Sequence, residues 1–375
     1  MKILQVNASY KPAYIYGGPT RSVSKLSEEL VKTGCSITVF TTTANGRQEL
    51  PVTTHPVIVD GVPVHYFKRI TKDHSHFSPS LLLALWKQAK SFDVIHIHAW
   101  WNMVSVLSCL IALRRGVPVI VSPRGTLSGY SFQNKNSFYK KLIHYLLGEK
   151  LLKNSCLHVT SVHEKSRLVD LIKPKSFFCI PNFIQLPVGY LIKNNERTDQ
   201  LKLLFLSRIE EKKGLDILLR ALPEVTVPYH LTIAGDGEHA YISYLKQIAE
   251  NNGSASHITW IGFQDERKFE ALDSHDLLIL PSHDENFGNV VIESLSVGTA
   301  VLISEQVGLA DYVTENNLGW LCRTDPASVA AEINQVDYVR LIKIKEKSPS
   351  IITRDFNESN LVQKYVAMYN QIVSG

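Results

Sequence analysis

Twice along this chain, short apolar runs alternate with segments of helical spacing, and that rhythm restricts the fold more than any other feature. In the first series "MKILQVNAS", "SITVFTTT", "VPVHYFK", "DVIHIHA", "VPVIVSP" and "CLHVTS" read as strands. Between them "PTRSVSKLSEELVKTG", with Gly34 as its C-cap, "SPSLLLALWKQAKSF", "MVSVLSCLIALRRG" and "NKNSFYKKLIHYLLGEKLLKN" read as helices. Continuously apolar strands separated by helices lie in a parallel sheet covered on both faces. Near "PKSFFCIPNFIQLPVGYLIKNNERTDQ" the pattern lapses into prolines and polar residues, which reads as a linker. It then restarts with "LKLLFLS", "YHLTIAG", "HITWIG", "DLLILPS" and "AVLISE" as strands. "RDFNESNLVQKYVAMYNQIVSG" closes the chain as one amphipathic helix.

The expected architecture is therefore α/β, with two Rossmann-like, doubly wound parallel-sheet domains facing across a cleft. The first covers 1–190 and the second 195–354, with the terminal helix of about 355–375 packed back on the first. A length of 375 residues suits two such domains. Ligands of open parallel sheets bind beyond the carboxyl ends of the strands, so residues that follow strands are the candidates for chemistry.

Charge divides at the same place. Residues 1–190 carry 23 Lys and Arg against 9 Asp and Glu, a surplus of +14; residues 191–375 carry 17 against 26, a surplus of −9. Two bodies with different partners follow. Nucleic acid would call for basic runs interleaved with aromatics or a reader motif, and none is present. Five scattered cysteines without a CxxC pair argue against a disulfide framework or zinc site and suit a reducing compartment. No secretory signal precedes the first strand, and the longest apolar stretch falls short of the ~20 residues that span a bilayer. A cytoplasmic protein is expected.

Six stretches carry candidate chemistry. In "YIYGGPTRSV", Gly17 and Gly18 let the backbone approach a ligand, and Arg21 sits in the first turn of a helix whose N–H groups attract anions. An ordinary strand-to-helix turn is the equal alternative. In "SRIEEKKG", Arg208 and Lys213 flank a loop that can bring both cations to one phosphate; a solvated loop paired with Glu210 and Glu211 is the bland reading. In "IAGDGEH", Gly235 and Gly237 form a phosphate loop or merely a turn, and GxGxxG is missing. In "DVIHIHAWW", His96 and His98 share a strand face, as one active-site histidine (His98) with a buried partner, a metal-binding pair, or two satisfied core histidines. In "SPRGTLSGY", Arg124 follows a strand and reads as an anion contact or a surface salt bridge.

The sixth stretch, "SHDENFGNVVIESLSVGTAVL", sets Glu285 and Glu293 eight positions apart. A glycosidase pair stands about 5–9.5 Å apart, whereas eight residues of helix span ~12 Å. Placing Glu285 in the loop and Glu293 in the second helical turn leaves the N–H groups of Phe287, Gly288 and Asn289 between them, where a phosphate fits. The flanking carboxylates then accept from hydroxyls on either side, which describes a sugar–diphosphate–nucleoside.

With these residues assembled, "ENFGNVVIE" resembles the E-x7-E motif of retaining GT-B glycosyltransferases of family 4. "SRIEEKKG", "IAGDGE", "ITWIGF", "DLLILPS" and "GTAVLISEQVGLADYV" extend the likeness densely over about 200 to 325, and the GG loop and "DVIHIHA" carry it more loosely over most of the chain. The resemblance implies roles. Glu285 would hold donor-sugar hydroxyls and Glu293 the ribose; Arg208 and Lys213 would neutralise the leaving diphosphate. Phe287, Gly288, Asn289 and Gly235 would line the donor, Gly17 and Gly18 would approach the diphosphate, and His98 would lie near sugar or acceptor. The resemblance implies transfer with retention of anomeric configuration and without a metal or other cofactor, and a UDP- or GDP-sugar is the expected donor.

Two positions depart from the pattern. Arg124 stands where many members carry histidine, which favours a phosphate or an acidic sugar, and "IPNF" (180–183) stands for "IPNG". The segment 134–153 sets Lys135, Lys140, Lys141, Lys150 and Lys153 beside apolar side chains. It is either a solvated helix or a contact with an anionic membrane surface at the inner face, where a lipid-linked glycan would be the acceptor. The expected function is thus glycosyl transfer in cell-surface polysaccharide or glycolipid synthesis. The rivals are a GT-B sugar-nucleotide epimerase and a non-catalytic nucleotide-sugar-binding scaffold.

Overall fold

The computed structural model describes residues 1–73, 75–127, 147–187 and 199–375. The chain forms two units, one of Met1–Ile184 with Glu358–Gly375 and one of Gln185–Asn357.

The strands of the first unit are β1 (Lys2–Val6), β2 (Ser36–Thr42), β3 (Ala44–Asn45), β4 (Gln48–Glu49), β5 (Val57–Val59), β6 (Val62–Phe67), β7 (Val94–His98), β8 (Val119–Ser122), β9 (Cys156–Val159) and β10 (Ser176–Cys179). Its helices are α1 (Gly18–Lys32), α2 (Pro79–Gln88), α3 (Met103–Arg114), α4 (Glu149–Lys153) and α5 (Val162–Val169). Eight strands join in the order β10-β9-β8-β7-β1-β2-β6-β5. All neighbours are parallel except β5, which runs antiparallel to β6 at the edge. The chain moves one way from β1 through β2 to β6, then crosses back to β7, so the switch point lies between β1 and β7.

Neighbouring residues of each strand point to opposite faces. Leu4, Ile95 and Ile97 pack on one side with α2 and α3. Ile3, Val94 and Ile120 pack on the other with α1 and the C-terminal segment. That segment buries Leu361, Val362, Tyr365, Met368 and Tyr369, each worth ~1.5–3 kcal/mol of hydrophobic stabilisation.

The second unit contains β11 (Leu201–Leu206), α6 (Leu215–Ala221), β12 (Tyr229–Ala234), α7 (His239–Asn251), β13 (Ile258–Gly262), α8 (Lys268–Asp273), β14 (Leu277–Leu280), α9 (Asn289–Ser296), β15 (Ala300–Ser304), α10 (Ala310–Glu315), β16 (Gly319–Cys322), α11 (Pro326–Asn334) and α12 (Tyr338–Asp355). Its six strands are all parallel, in the order β13-β12-β11-β14-β15-β16. Renumbered from its own start this is 3-2-1-4-5-6, the Rossmann order, with the switch point between β11 and β14. β14 and β15 are wholly buried, which explains their unbroken apolar sequence.

Three sequence expectations change. "SFFC", read as linker, is β10 and extends the first sheet beside β9; four residues give too short an apolar signal next to Pro174 and Pro181. "GWLC" forms β16, too short to be recognised behind its glycine. The closing helix starts later than expected: α12 ends at Asp355, and α13 (Glu358–Ser374) begins after Phe356 and Asn357. Of the basic segment 134–153, residues 134–146 lie outside the described residues, and the rest ends in α4. Among the described residues no helix is long and apolar enough to cross a membrane.

Candidate active site

At the switch point of the second unit, the loop after β11 and the loop after β14 are pressed together. Gly214 sits at φ 69°, and a Cβ there would lie 2.1 Å from the Pro281 carbonyl oxygen. Only glycine permits both the left-handed turn and this approach. It ends the single turn Glu211–Lys213 and starts α6, so Lys213 is fixed at the loop's tip. From there the Lys213 ammonium donates to the Glu285 carboxylate. Glu285 is held in turn by its own backbone: its N–H donates to the Gln306 carbonyl (3.2 Å) and its carbonyl accepts from Gly308 (2.8 Å). Next to it Lys212 pairs with Asp284 at 2.9 Å. Arg208 is half-exposed and pairs with Glu210 at 2.7 Å. Burial alone would raise the Glu285 pKa, but Lys213, Lys212 and Arg208 outweigh it and hold the carboxyl below its ordinary value. Glu285 is therefore an anion at neutral pH.

Two residues on, the chain turns through Gly288 at φ 91° into α9. Among the described residues, no backbone carbonyl accepts the N–H of Phe287 or Gly288, as the orphan donors of a helix start require. The Phe287 side chain is buried. Glu293 projects from the second turn of α9 and accepts from Lys268 of α8 at 2.7 Å. Lys268 was not singled out from the sequence, where no spacing rule connects it to Glu293.

Gly235 has a different explanation from the one expected. Its N–H donates to the Gly262 carbonyl (2.8 Å), and a Cβ would lie 1.9 Å from the Ser207 carbonyl oxygen. Gly237 is equally tight against Ile209. These glycines let the loop after β12 pack on the loop carrying Arg208; Gly235 has no N–H left for a phosphate.

At the switch point of the first unit, Gly17 turns at φ 71° and caps α1, its N–H donating to the Tyr14 carbonyl at 2.9 Å. The Arg21 guanidinium lies over the Tyr14 ring, 4.6 Å from its centre. In the loop after β8, Arg124 adopts φ 50°. Its Nε donates to His98 Nδ1 (3.3 Å), and its Nη1 to Ser22 Oγ (2.9 Å) and Asn182 Oδ1 (2.5 Å). The GG loop, β7, β8 and the "IPNF" turn are thus joined through one guanidinium.

Behind Arg124 runs a buried chain of hydrogen bonds whose direction is fixed at both ends. Arg124 can only donate, so His98 accepts at Nδ1 and, being neutral, donates from Nε2 to Gln5 Oε1 (2.6 Å). Gln5 Nε2 donates to the Tyr369 hydroxyl (3.1 Å), which donates to His96 Nδ1 (2.7 Å). His96 Nε2 donates to Ser122 Oγ (2.6 Å), and Ser122 donates to His158 Nδ1 (2.6 Å). At the far end the Ile180 carbonyl can only accept, so His158 Nε2 donates to it (2.9 Å). Reading from either end gives the same tautomer at all three histidines. Burial lowers all three pKa values below the ordinary histidine value, aided by their neighbours and Arg124, and takes His158 to about 3. Burial likewise raises those of Tyr365 and Tyr369, which keep their protons.

This changes the reading of "HIH". His98 is fully buried with both ring nitrogens engaged. In this structure it offers no nitrogen to a sugar or a metal; it holds Arg124. His96 is equally committed. Gln5, Ser22, Asn182 and Tyr369 carry no signal of their own in the sequence, although Ser22 lies within "YIYGGPTRSV" and Asn182 within the "IPNF" turn.

Residues 16–186 match the family described as Glycosyltransferase Family 4, and residues 191–337 match Glycosyl transferases group 1. An uncharacterized glycosyltransferase of Methanocaldococcus jannaschii is 25% identical over 361 residues, covering 90% of this chain and 89% of that protein. Sucrose-phosphate synthase of Thermosynechococcus elongatus superposes with a TM-score of 0.78 at 18% identity, covering 100% of this chain and 99% of that one. The Anabaena protein HepE, crystallised with UDP and glucose, gives 0.75 at 17%, covering 99% and 100%. These likenesses show the GT-B fold, and the two family matches decide between the enzyme classes left open by the motifs. The chain belongs to the family 4, group 1 glycosyltransferases.

Proposed function

We propose that this glycosyltransferase moves a sugar from a UDP- or GDP-sugar to an acceptor hydroxyl, with retention and without a metal. The observation that carries this is the Lys213–Glu285 pair at the Rossmann switch point, beside Arg208 and the open N–H groups of Phe287 and Gly288. In this reading the diphosphate meets the helix start and takes Lys213 and Arg208 as counter-charges. Negative charge grows on the leaving diphosphate as the glycosidic bond breaks, and these cations gain most strength at that moment. Glu285, released from Lys213 when the diphosphate arrives, accepts from sugar hydroxyls, and Glu293 from the ribose. The acceptor hydroxyl attacks from the face the diphosphate leaves, and the departing phosphate oxygen takes its proton. Under this reading the second unit binds the donor and the first unit the acceptor, a glycan. A polysaccharide or glycolipid product, with the basic segment 134–153 at an anionic membrane surface, extends the same proposal.

The test is Lys213→Ala in a nucleotide-release assay run with a panel of UDP- and GDP-sugars. Turnover falls about 10²–10³-fold, as for loss of one donor to a developing oxyanion, while UDP or GDP affinity changes by less than about fivefold. Equal loss of both means Lys213 merely binds. Anomeric configuration of the product, read by proton NMR, checks retention.

A further inference from the structure

Among the described residues, Arg124 is a cation with no carboxylate paired to it. Its Nε and Nη1 are bound by three neutral acceptors, His98, Ser22 and Asn182. Among the described residues, no carboxylate lies within 4.0 Å of it, and Nη2 has no protein partner. The neighbouring carboxylate, Glu164, is committed to the N–H groups of Gly125 (3.1 Å) and Thr160 (2.7 Å). The segment 128–146 that follows Arg124 contains no Asp or Glu at all. His98 cannot neutralise it either, because an imidazole is neutral or cationic; here the chain through Gln5 and Tyr369 keeps it a neutral acceptor. A half-buried guanidinium held in place but left uncompensated costs solvation energy, and here it sits at the carboxyl end of β8, next to the switch point of the first sheet.

We infer that Arg124 is an anion subsite, taking a phosphate or carboxylate oxygen of the acceptor through the guanidinium edge that carries Nη2. The inference rests on the transferase reading for the word acceptor, and it narrows the acceptor class to phosphorylated or uronic-acid-bearing glycans. The donor diphosphate is the weaker occupant, since Arg208 and Lys213 already stand at the donor unit's switch point. Arginine suits such a group because its planar fork matches two oxygens at once.

Full-length protein is saturated with UDP or GDP, whichever it binds, and titrated calorimetrically with inorganic phosphate and, separately, with glucuronate. Wild type binds at least one of them. Arg124→Gln weakens that binding about tenfold or more, the scale of a lost charged hydrogen bond, and leaves nucleotide affinity within about twofold. A stronger response to phosphate assigns a phosphorylated acceptor, and a stronger response to glucuronate a uronic acid. Arg124→Lys, which keeps the charge and loses the fork, weakens binding by about threefold and carries the comparison should the glutamine variant not fold. Binding of neither anion to wild type, or equal binding by wild type and variants, overturns the inference. So does a parallel tenfold loss of nucleotide affinity, which would give Arg124 to the donor. If neither nucleotide binds, the proposed UDP- or GDP-sugar donor fails instead, and the phosphate comparison without nucleotide still decides the subsite.

Discussion

At the first unit's switch point, three buried histidines are neutral and wired in one direction, and the chain ends on a cation that, among the described residues, has only neutral partners. At the second unit's, nearly every charge has an opposite one beside it: Lys213 with Glu285, Lys212 with Asp284, Lys268 with Glu293. Both sites stand on the same kind of parallel sheet, so topology fixed their position and not their electrostatics. Paired charges at a rim are exchangeable: an incoming phosphate can take over the lysine and free the carboxylate. A directional chain of neutral groups is not, because each member has one acceptor and one donor to place. Under the proposed function, the second unit would change partners during turnover and the first would hold one group still.

Acid separates the two most strongly. His96, His98 and His158 have folded pKa values below the ordinary 6.5, so the unfolded chain binds more protons than the folded one as pH falls below that value. Stability therefore rises with pH up to about 6.5 and is lost on acidification. Each histidine that stays neutral in the folded chain while it is protonated in the unfolded one contributes a slope of ~1.4 kcal/mol per pH unit. In the second unit, burial lowers His275 in the same direction. Hydrogen exchange followed peptide by peptide should show β7, β8 and β9 opening at a higher pH than β11, β14 and β15. Simultaneous opening of both sheets would erase the proposed difference.

A single hydroxyl tests the directional chain. Tyr369→Phe leaves His96 Nδ1 without a donor and Gln5 Nε2 without an acceptor, two buried groups at ~1–3 kcal/mol each, so a loss of ~2–6 kcal/mol is expected in urea unfolding. Tyr365→Phe removes a contact of 3.1 Å to His158, which keeps the Ile180 carbonyl, and a donor at 3.2 Å to the part-buried Pro181 carbonyl. Its cost should stay near ~1 kcal/mol. Equal costs would mean that the chain has no favoured route through Tyr369.

Much of this architecture was readable before any coordinates. Buried parallel strands announce themselves as continuous apolar runs, which is why β1, β7, β14 and β15 were found, and the loops behind them followed. Short strands such as β10 and β16 were missed because four residues beside a proline or glycine carry little pattern. Within the sites, Arg208, Lys213, Glu285 and Glu293 were legible as charges near helix starts. Their pairing was not, because side-chain partners 25 or 72 positions apart leave no local trace. Gly235 shows the opposite failure: the motif was visible, but its cause is a 1.9 Å backbone approach rather than a ligand. Tyr369 is the hardest case, 273 residues from His96 and reachable only once α13 is seen on the first sheet.

The smallest effect is expected at the pair that sequence reasoning half saw. Lys268 and Glu293 are mostly covered, yet their bond at 2.7 Å joins two helices near the surface, where an ion pair is worth ~0–1 kcal/mol. If Glu293 is the group that receives ribose hydroxyls, Lys268 is only its resting partner. Lys268→Ala then leaves UDP or GDP affinity within about threefold of wild type, whereas Glu293→Gln, which weakens the acceptor for those hydroxyls, lowers it about tenfold. Should both substitutions lower affinity alike, the pair itself would be the binding element. In that case the second unit would resemble the first, holding a fixed group where exchange of partners is proposed.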